Sequence, residues 1–156
     1  MMITQILLAI STGILGIFLG TQICEGALLV PYWKSLAPQD FFELHKTYGK
    51  KIHQFYAPLT IAATFVPLIT AGYSIYSRVP YFKTVLGMAI CCLLFFATYF
   101  LYFKQANLSF ATQSLSFEEL PKELHRWGNW HWTRVGLEFL AFGFSLVALL
   151  QHNKTC

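Results

Sequence analysis

Four long apolar stretches alternate with short polar ones along the chain. The apolar stretches cover residues 3–31, 52–76, 81–103 and 129–151, and each holds about 20 or more mostly apolar or small residues, the length at which a helix crosses a bilayer. The pattern predicts an all-α membrane protein in which residues 1–156 form one domain of four transmembrane helices. The short connections favour an up-down-up-down bundle.

Two of the polar connections carry helical signals of their own. Residues 37–51 include Asp40 three residues before Glu43, which is typical of a helix N-terminus. Residues 104–127 contain Ser116 just ahead of an amphipathic stretch. We therefore predict short interfacial helices in the first and third connections.

The composition agrees with a lipid environment. At 56% hydrophobic and 12% charged residues, the chain is too apolar for a water-soluble domain of its size. The first apolar stretch lacks a basic n-region, so we interpret it as a retained helix and not a signal peptide.

The net charge of +4 comes from scattered residues and gives no indication of nucleic-acid binding. The four cysteines form no C-x-x-C pair, which argues against dithiol or zinc-ribbon chemistry.

The basic residues are distributed unequally between the two ends of the predicted bundle. Arg78, Lys83 and Lys154 belong to the end that holds both termini. The remaining basic residues belong to the other end: Lys34, Lys46, Lys50, Lys51, Lys104, Lys122, Arg126 and Arg134. The positive-inside rule therefore predicts a multi-pass membrane protein with the first and third connections in the cytoplasm and both termini outside.

Polar residues capable of chemistry gather at the same basic end, although four different segments supply them. They are Glu25, His45, His53, Asn107, His125, His131, Arg134 and Glu138. Within the fourth apolar stretch, His131, Arg134 and Glu138 fall at i, i+3 and i+7, so they lie on one face of a helix. Charged groups inside a membrane usually face the bundle interior, and we predict a shared polar cavity there.

Histidine and carboxylate from several helices of a bundle suit a transition-metal site, with iron or copper as the preferred ions. Glu25, His53 and His131 form the predicted ligand set, with Glu138 as a further carboxylate. Two histidines and one carboxylate with open positions would fit non-haem iron oxygen chemistry. Arg134 would attract an enolate, phenolate or carboxylate, and nearby aromatic rings would hold the apolar body of a small hydrophobic substrate.

A haem b site is an alternative use of the histidines. His53 with His131, or His45 with His125, would serve as axial pairs on opposing helices, with Gly49 leaving room for the ring. In the metal hypothesis, His45 and His125 are instead alternative ligands or outer hydrogen-bond donors to the cofactor.

A non-enzymatic binding or assembly protein is the other alternative. Arg134 would then form a structural ion pair with Glu138 or Glu25. Gly16 and Gly20 form a G-x-x-x-G motif, which lets a neighbouring helix approach closely and predicts a possible homo-oligomer through that face.

Three segments resemble one family of membrane proteins. The helix end GTQICEGALLVPYW, Asn107 after the third apolar stretch and the block RWGNWHWTRVGLEFLAF are similar to the small four-helix family of unknown-function domains that includes the anthrone oxygenases. Many members have W-x-x-x-N-x-x-R, and this chain reads W-x-x-x-H-x-x-R from Trp127 to Arg134. The resemblance implies oxidation of an aromatic or polyketide-like compound by O2, with Asn107 and Arg134 as catalytic residues.

Overall fold

The computed structural model describes residues 2–155, which form four long helices packed as a bundle. They are α1 (Met2–Ser35), α2 (Pro38–Tyr76), α3 (Phe82–Ala111) and α4 (Leu120–Thr155). All four are long and apolar enough to cross a membrane, which confirms the prediction of an all-α, four-helix architecture. Cys156 lies outside the described residues.

Neighbouring helices run antiparallel. Ser11 near the start of α1 is hydrogen-bonded to Thr70 near the end of α2, at 2.8 Å. Thr84 near the start of α3 donates to Gln151 near the end of α4, at 2.9 Å. The ends of α1 and α3 therefore lie beside the starts of α2 and α4, and we call this the basic end of the bundle.

Polar side chains face inward and large apolar ones face outward. Gln22 and Glu138 are fully buried, whereas Ile17, Ile69 and Phe139 are each more than 60% exposed. Exposed isoleucine and phenylalanine in such density suit contact with hydrocarbon, where a helix keeps its backbone hydrogen-bonded within itself. Buried polar side chains inside such a bundle need partners, because hydrocarbon offers none.

The helices extend well beyond the thickness of a bilayer. With 39 residues, α2 is about 60 Å long at a rise of about 1.5 Å per residue, against about 30 Å of hydrocarbon. Residues 38–51 are therefore the first turns of α2, and no separate helix forms there. Likewise, the amphipathic stretch predicted as an interfacial helix of the third connection forms the first turns of α4, which begins at Leu120. Pro58 and Pro67 lie inside α2 without ending it.

Two apolar cores lie along the bundle, with a band of polar residues between them. The first core, in the body of the bundle, includes Leu8, Leu15, Phe18, Val85, Met88, Phe95 and Ala141. The second, at the basic end, includes Val30, Trp33, Phe41, Phe103, Phe110, Leu120 and Trp127. The boundary between the two cores lies between Phe18 and Val30 on α1, and between Trp127 and Ala141 on α4. Gln22 and Glu25 of α1 and His131, Arg134 and Glu138 of α4 are buried polar residues that fall within these two intervals.

The two glycines of the G-x-x-x-G motif face different surroundings. A Cβ atom on Gly16 would lie 3.1 Å from Cε2 of Phe142, so this glycine makes room for α4 of the same chain. Gly20 is exposed, and a Cβ atom there would meet nothing within 4 Å. The close approach at Gly16 is thus used within the bundle, and oligomerisation through this face stays a prediction.

Candidate functional site

Five polar side chains form a buried cluster between α1 and α4, which we call the Arg134 cluster. Its members are Gln22, Glu25, His131, Arg134 and Glu138, and each is at most 9% exposed. His131, Arg134 and Glu138 lie on one face of α4, as their spacing in the sequence predicts. Helix α1 supplies the other two, which are three residues apart and so also share a face.

Gln22 connects the two helices through both its backbone and its side chain. Its backbone carbonyl lies 2.9 Å from Nε2 of His131, and its side-chain carbonyl accepts a hydrogen bond from Nη2 of Arg134. A carbonyl only accepts, so Nε2 of His131 must carry the donated proton. The other ring nitrogen, Nδ1, then faces Oε2 of Glu25 at 3.8 Å.

Arg134 and Glu138 are close in space but poorly aligned for hydrogen bonding. Nε of Arg134 lies 3.4 Å from Oε1 of Glu138, within the range of an ion pair. Neither that nitrogen nor either carboxylate oxygen of Glu138 has a hydrogen-bond partner in the described part of the chain, and the same holds for Nε2 of Gln22. Buried polar atoms are normally hydrogen-bonded, so this cluster retains unused capacity to bind a polar group.

Aromatic rings enclose the cluster on its side toward the basic end. The Trp127 ring stacks on the His131 ring, with centroids 5.1 Å apart and planes at 11°. The guanidinium carbon of Arg134 lies 4.9 Å from the centroid of Phe103, a cation–π distance. Trp127 donates from Nε1 to Oδ1 of Asn107 at 3.0 Å. Asn107, predicted as catalytic, is therefore connected to the cluster through Trp127, which is buried.

Two π-helical turns border the cluster, at Glu25–Leu29 in α1 and Tyr99–Phe103 in α3. Such turns add one residue to a helix and are frequent at functional sites. The first carries Glu25 and Gly26, and the second carries Phe103. At Gly26 a Cβ atom would lie 3.0 Å from Cδ2 of His131, so glycine allows the histidine ring to approach α1 closely.

The remaining histidines predicted for the site lie elsewhere. His53 and His125 are exposed. His45 packs between aromatic rings, with centroids 5.8 Å from Phe41 and 5.9 Å from Phe110. The structure thus brings together Glu25, His131, Arg134 and Glu138 from the predicted set, and it does not bring His45, His53 or His125 to them.

The clustered residues do not fit a metal ion. Within residues 2–155, no group of three or more His, Cys, Asp or Glu residues is arranged to hold one. The predicted set of Glu25, His53 and His131 does not assemble, because His53 is on an outward face of α2. In addition, Nε2 of His131 is already hydrogen-bonded to the Gln22 carbonyl. The permanent positive charge of Arg134 already lies beside the Glu138 carboxylate.

The haem pairs do not assemble either. The space beside Gly49 that was predicted to admit the ring is filled by His45 itself, because a Cβ atom on Gly49 would lie 2.7 Å from Cε1 of His45. The exposed positions of His53 and His125 leave both predicted pairs without their second ligand at the bundle core.

Three residues near the cluster were not predicted. Gln22 has a detectable signal, since it is a polar residue three positions before Glu25 in an apolar stretch. Phe103 has none, because it is one of 15 phenylalanines. Tyr56 donates to the Thr21 carbonyl at 3.3 Å, and it is the residue that α2 places near the cluster instead of His53.

No protein-family model matches the chain, and no curated protein or solved structure matches it. Function is therefore inferred from the geometry of the Arg134 cluster and from the chemistry of its residues.

Proposed function

We propose that the protein is an integral membrane protein whose four helices span the bilayer, with the basic end in the cytoplasm and both termini outside. The lysine-rich ends of α1 and α3 and starts of α2 and α4 support this orientation. In a chain whose four native cysteines are replaced by serine, a membrane-impermeant maleimide should label a Lys83→Cys variant in intact cells, and a Lys50→Cys variant only after permeabilisation. The reverse labelling pattern would contradict the orientation.

Within that membrane protein, we propose that the Arg134 cluster is the site of an oxygenase-type reaction on a small hydrophobic aromatic substrate. The observation that carries this proposal is the position of a permanent cation beside two carboxylates, a histidine and aromatic rings in one buried cluster. These are the groups required to remove a proton from an activated carbon and to stabilise the resulting anion. The resemblance to the anthrone oxygenase family supports the choice of oxidation.

The proposed reaction converts an activated CH2 group beside a ketone into a carbonyl. Glu138 accepts the first C–H proton, and Arg134 beside it stabilises the enolate oxygen. The enolate gives one electron to O2, the two radicals combine at carbon, and a proton from the cluster completes a hydroperoxide. Loss of the second C–H proton then breaks the O–O bond and releases water. In total, the CH2 group and O2 become C=O and H2O.

Anthrone is a suitable probe, because its oxidation to anthraquinone is followed by absorbance together with oxygen consumption. Arg134→Gln should lower turnover by about 10²–10³-fold, the usual effect of removing an oxyanion donor. Arg126→Gln is the matched control on the same helix, since its side chain is 65% exposed, and it should retain activity. Failure of the folded wild-type protein to oxidise anthrone faster than buffer would refute this function.

The role of a metal is tested separately with His53→Ala. This variant should stay active if the cluster observed between α1 and α4 is sufficient, and lose activity if His53 joins a metal site during turnover. Elemental analysis after chelator-free purification accompanies it. Iron or copper bound in proportion to activity would overturn the proton-transfer scheme above.

A structural ion-pair network in a binding or assembly protein is the second candidate. It is favoured by the hydrogen bonds within the cluster, because both His131 and Arg134 already donate to Gln22. In that case Arg134→Gln and Glu138→Gln would change stability and assembly, and the wild-type protein would not oxidise anthrone.

A further inference from the structure

The formal charges of the Arg134 cluster do not balance unless it retains a proton. It contains one permanent cation, Arg134, and two carboxylates, Glu25 and Glu138. If both carboxylates were ionised beside a neutral His131, the cluster would carry a net negative charge in a buried site. Such a charge is strongly disfavoured away from water. One exchangeable proton therefore belongs to this group of residues.

The geometry places that proton on the pair formed by Glu25 and His131. Since Nε2 of His131 donates to the Gln22 carbonyl, Nδ1 is either a bare acceptor or the second donor of an imidazolium. It faces Oε2 of Glu25 at 3.8 Å. Two bare acceptors facing each other would repel, and the separation is too long for a hydrogen bond, so the proton lies on either Glu25 or His131. Glu138 is then the ionised carboxylate that balances Arg134.

Glu138 is a poorly held counter-ion. Its side chain is fully buried, yet both of its oxygens lack hydrogen-bond donors among the described residues, and its contact with Nε of Arg134 is an unaligned ion pair at 3.4 Å. An arginine that pairs well with a carboxylate does so through two parallel hydrogen bonds. Nε of Arg134 and Nε2 of Gln22 thus remain free to donate to a better-placed anion.

We propose that Glu138 is a displaceable counter-ion, and that the Arg134 cluster binds the anionic form of an aromatic weak acid with uptake of one proton. The incoming phenolate, enolate or carboxylate takes the place of Glu138 beside Arg134, and Glu138 becomes protonated. The cluster is neutral before and after the exchange, so the anion adds no net charge to the membrane interior. This inference rests on the proposed function, for which it specifies the ionisation state of the ligand.

Other titratable groups near Glu138 come from every neighbouring helix. Glu25 is on α1, Tyr56 is on α2, Cys92 is on α3, and Arg134 is on α4, where His131 lies on the same helix face. Tyrosine and cysteine are neutral near neutral pH, so only Glu25 and His131 compete with Glu138 for the proton. A matched pair of variants, Glu138→Gln and Glu25→Gln, separates these possibilities.

The probe is 1-naphthoate, an aromatic carboxylate, and its neutral counterpart 1-naphthamide is the control for partition into lipid. Calorimetric titration of the protein in nanodiscs, repeated in buffers of different ionisation enthalpy, counts the protons taken up. Wild-type protein should take up about one proton per bound naphthoate. Arg134→Gln should weaken naphthoate binding about tenfold or more and leave naphthamide unchanged.

The two carboxylate variants should behave differently. Glu138→Gln should bind naphthoate more tightly and take up much less than one proton, because no counter-ion has to be displaced. Glu25→Gln should keep the uptake of the wild-type protein. No naphthoate binding, binding without proton uptake, or uptake that is lost in Glu25→Gln and retained in Glu138→Gln would overturn the inference. The anthrone assay is independent of these results, so failure of the counter-ion exchange is distinguished from failure of the proposed oxidation.

Discussion

Replacement of Gly26 by alanine tests whether His131 is held in the position described. A methyl group at residue 26 would lie 3.0 Å from Cδ2 and 3.1 Å from Nε2 of His131, and 3.0 Å from Cζ2 of Trp132. These distances are shorter than ordinary contacts, so both rings must move by a few tenths of an ångström. The His131 ring has little freedom to do so, since Trp127 stacks on it and Gln22 binds its Nε2.

The magnitude follows from the two ways in which the protein can respond. If His131 stays in place, the overpacked contact costs about 1–3 kcal/mol. If it moves, the buried hydrogen bond to Gln22 is lost, with a penalty of about 1–3 kcal/mol for the unpaired groups. Alanine is also favoured over glycine inside a helix by about 1 kcal/mol, which offsets part of either effect. A Gly20→Ala variant gains the same helical preference without a contact, because nothing lies within 4 Å of its methyl group.

The difference between Gly26→Ala and Gly20→Ala therefore isolates the contact, and we expect it to be about 1–3 kcal/mol in the free energy of unfolding. Reversible denaturation by sodium dodecyl sulfate in mixed micelles, followed by tryptophan fluorescence, measures it. Anthrone oxidation by the folded fraction should fall in Gly26→Ala and not in Gly20→Ala. Equal stability and equal activity of the two variants would refute the close packing of His131 against α1.

Two further predictions concern the basic end. Asn107→Ala and Trp127→Phe each remove the hydrogen bond between these residues. Asn107→Ala should destabilise the protein by ~1 kcal/mol, and Trp127→Phe by more, because it also shortens a ring that packs on Phe103 and His131. The double variant should be destabilised by less than the sum, and strict additivity in the same denaturation assay would argue against the bond. The backbone of Ser116 donates to the Glu119 carboxylate at 2.8 Å, and this hydrogen bond lowers the pKa of Glu119. A carboxyl group whose pKa is lower in the folded than in the unfolded state stabilises the folded protein at pH values above its unfolded-state pKa. This stabilisation is lost as the pH falls through the folded-state pKa. The stability difference between wild type and Glu119→Ala should therefore disappear in acid, and a difference that persists unchanged there would contradict this hydrogen bond.

The sequence was sufficient to predict the helices and one face of the site. Apolar length alone predicts four helices, and the spacing of His131, Arg134 and Glu138 predicts their common face, because both depend on periodicity within a single helix. The lengths of the helices were less predictable. Polar stretches such as residues 38–51 continue the helix beyond its apolar part, because the change in hydropathy near residue 52 does not interrupt the backbone hydrogen bonds of α2.

The rotation of one helix against another was not predictable. His53 is placed near the basic end by sequence alone, but whether it faces the core depends on how α2 packs, and the structure turns Tyr56 inward instead. The π-helical turn at Glu25–Leu29 has a related effect. One added residue rotates the side chains that follow the turn by about 100° relative to a regular helix, so residue spacing in the sequence does not give their orientation toward the other helices.

The excess of carboxylate over guanidinium is the strongest argument that the Arg134 cluster has a role other than stability. A structural counter-ion for Arg134 requires one carboxylate, and packing alone would favour apolar residues in place of the whole group, since a buried ion pair is often no more stable than its hydrophobic replacement. The chain instead places two carboxylates and a histidine around one arginine, and leaves the oxygens of Glu138 without donors among the described residues. Such an arrangement lowers stability unless a ligand completes it. This loss of stability is explained if the cluster exchanges a proton and an anion. A Glu138 carboxylate already saturated with hydrogen bonds could neither accept the proton nor give way to the anion.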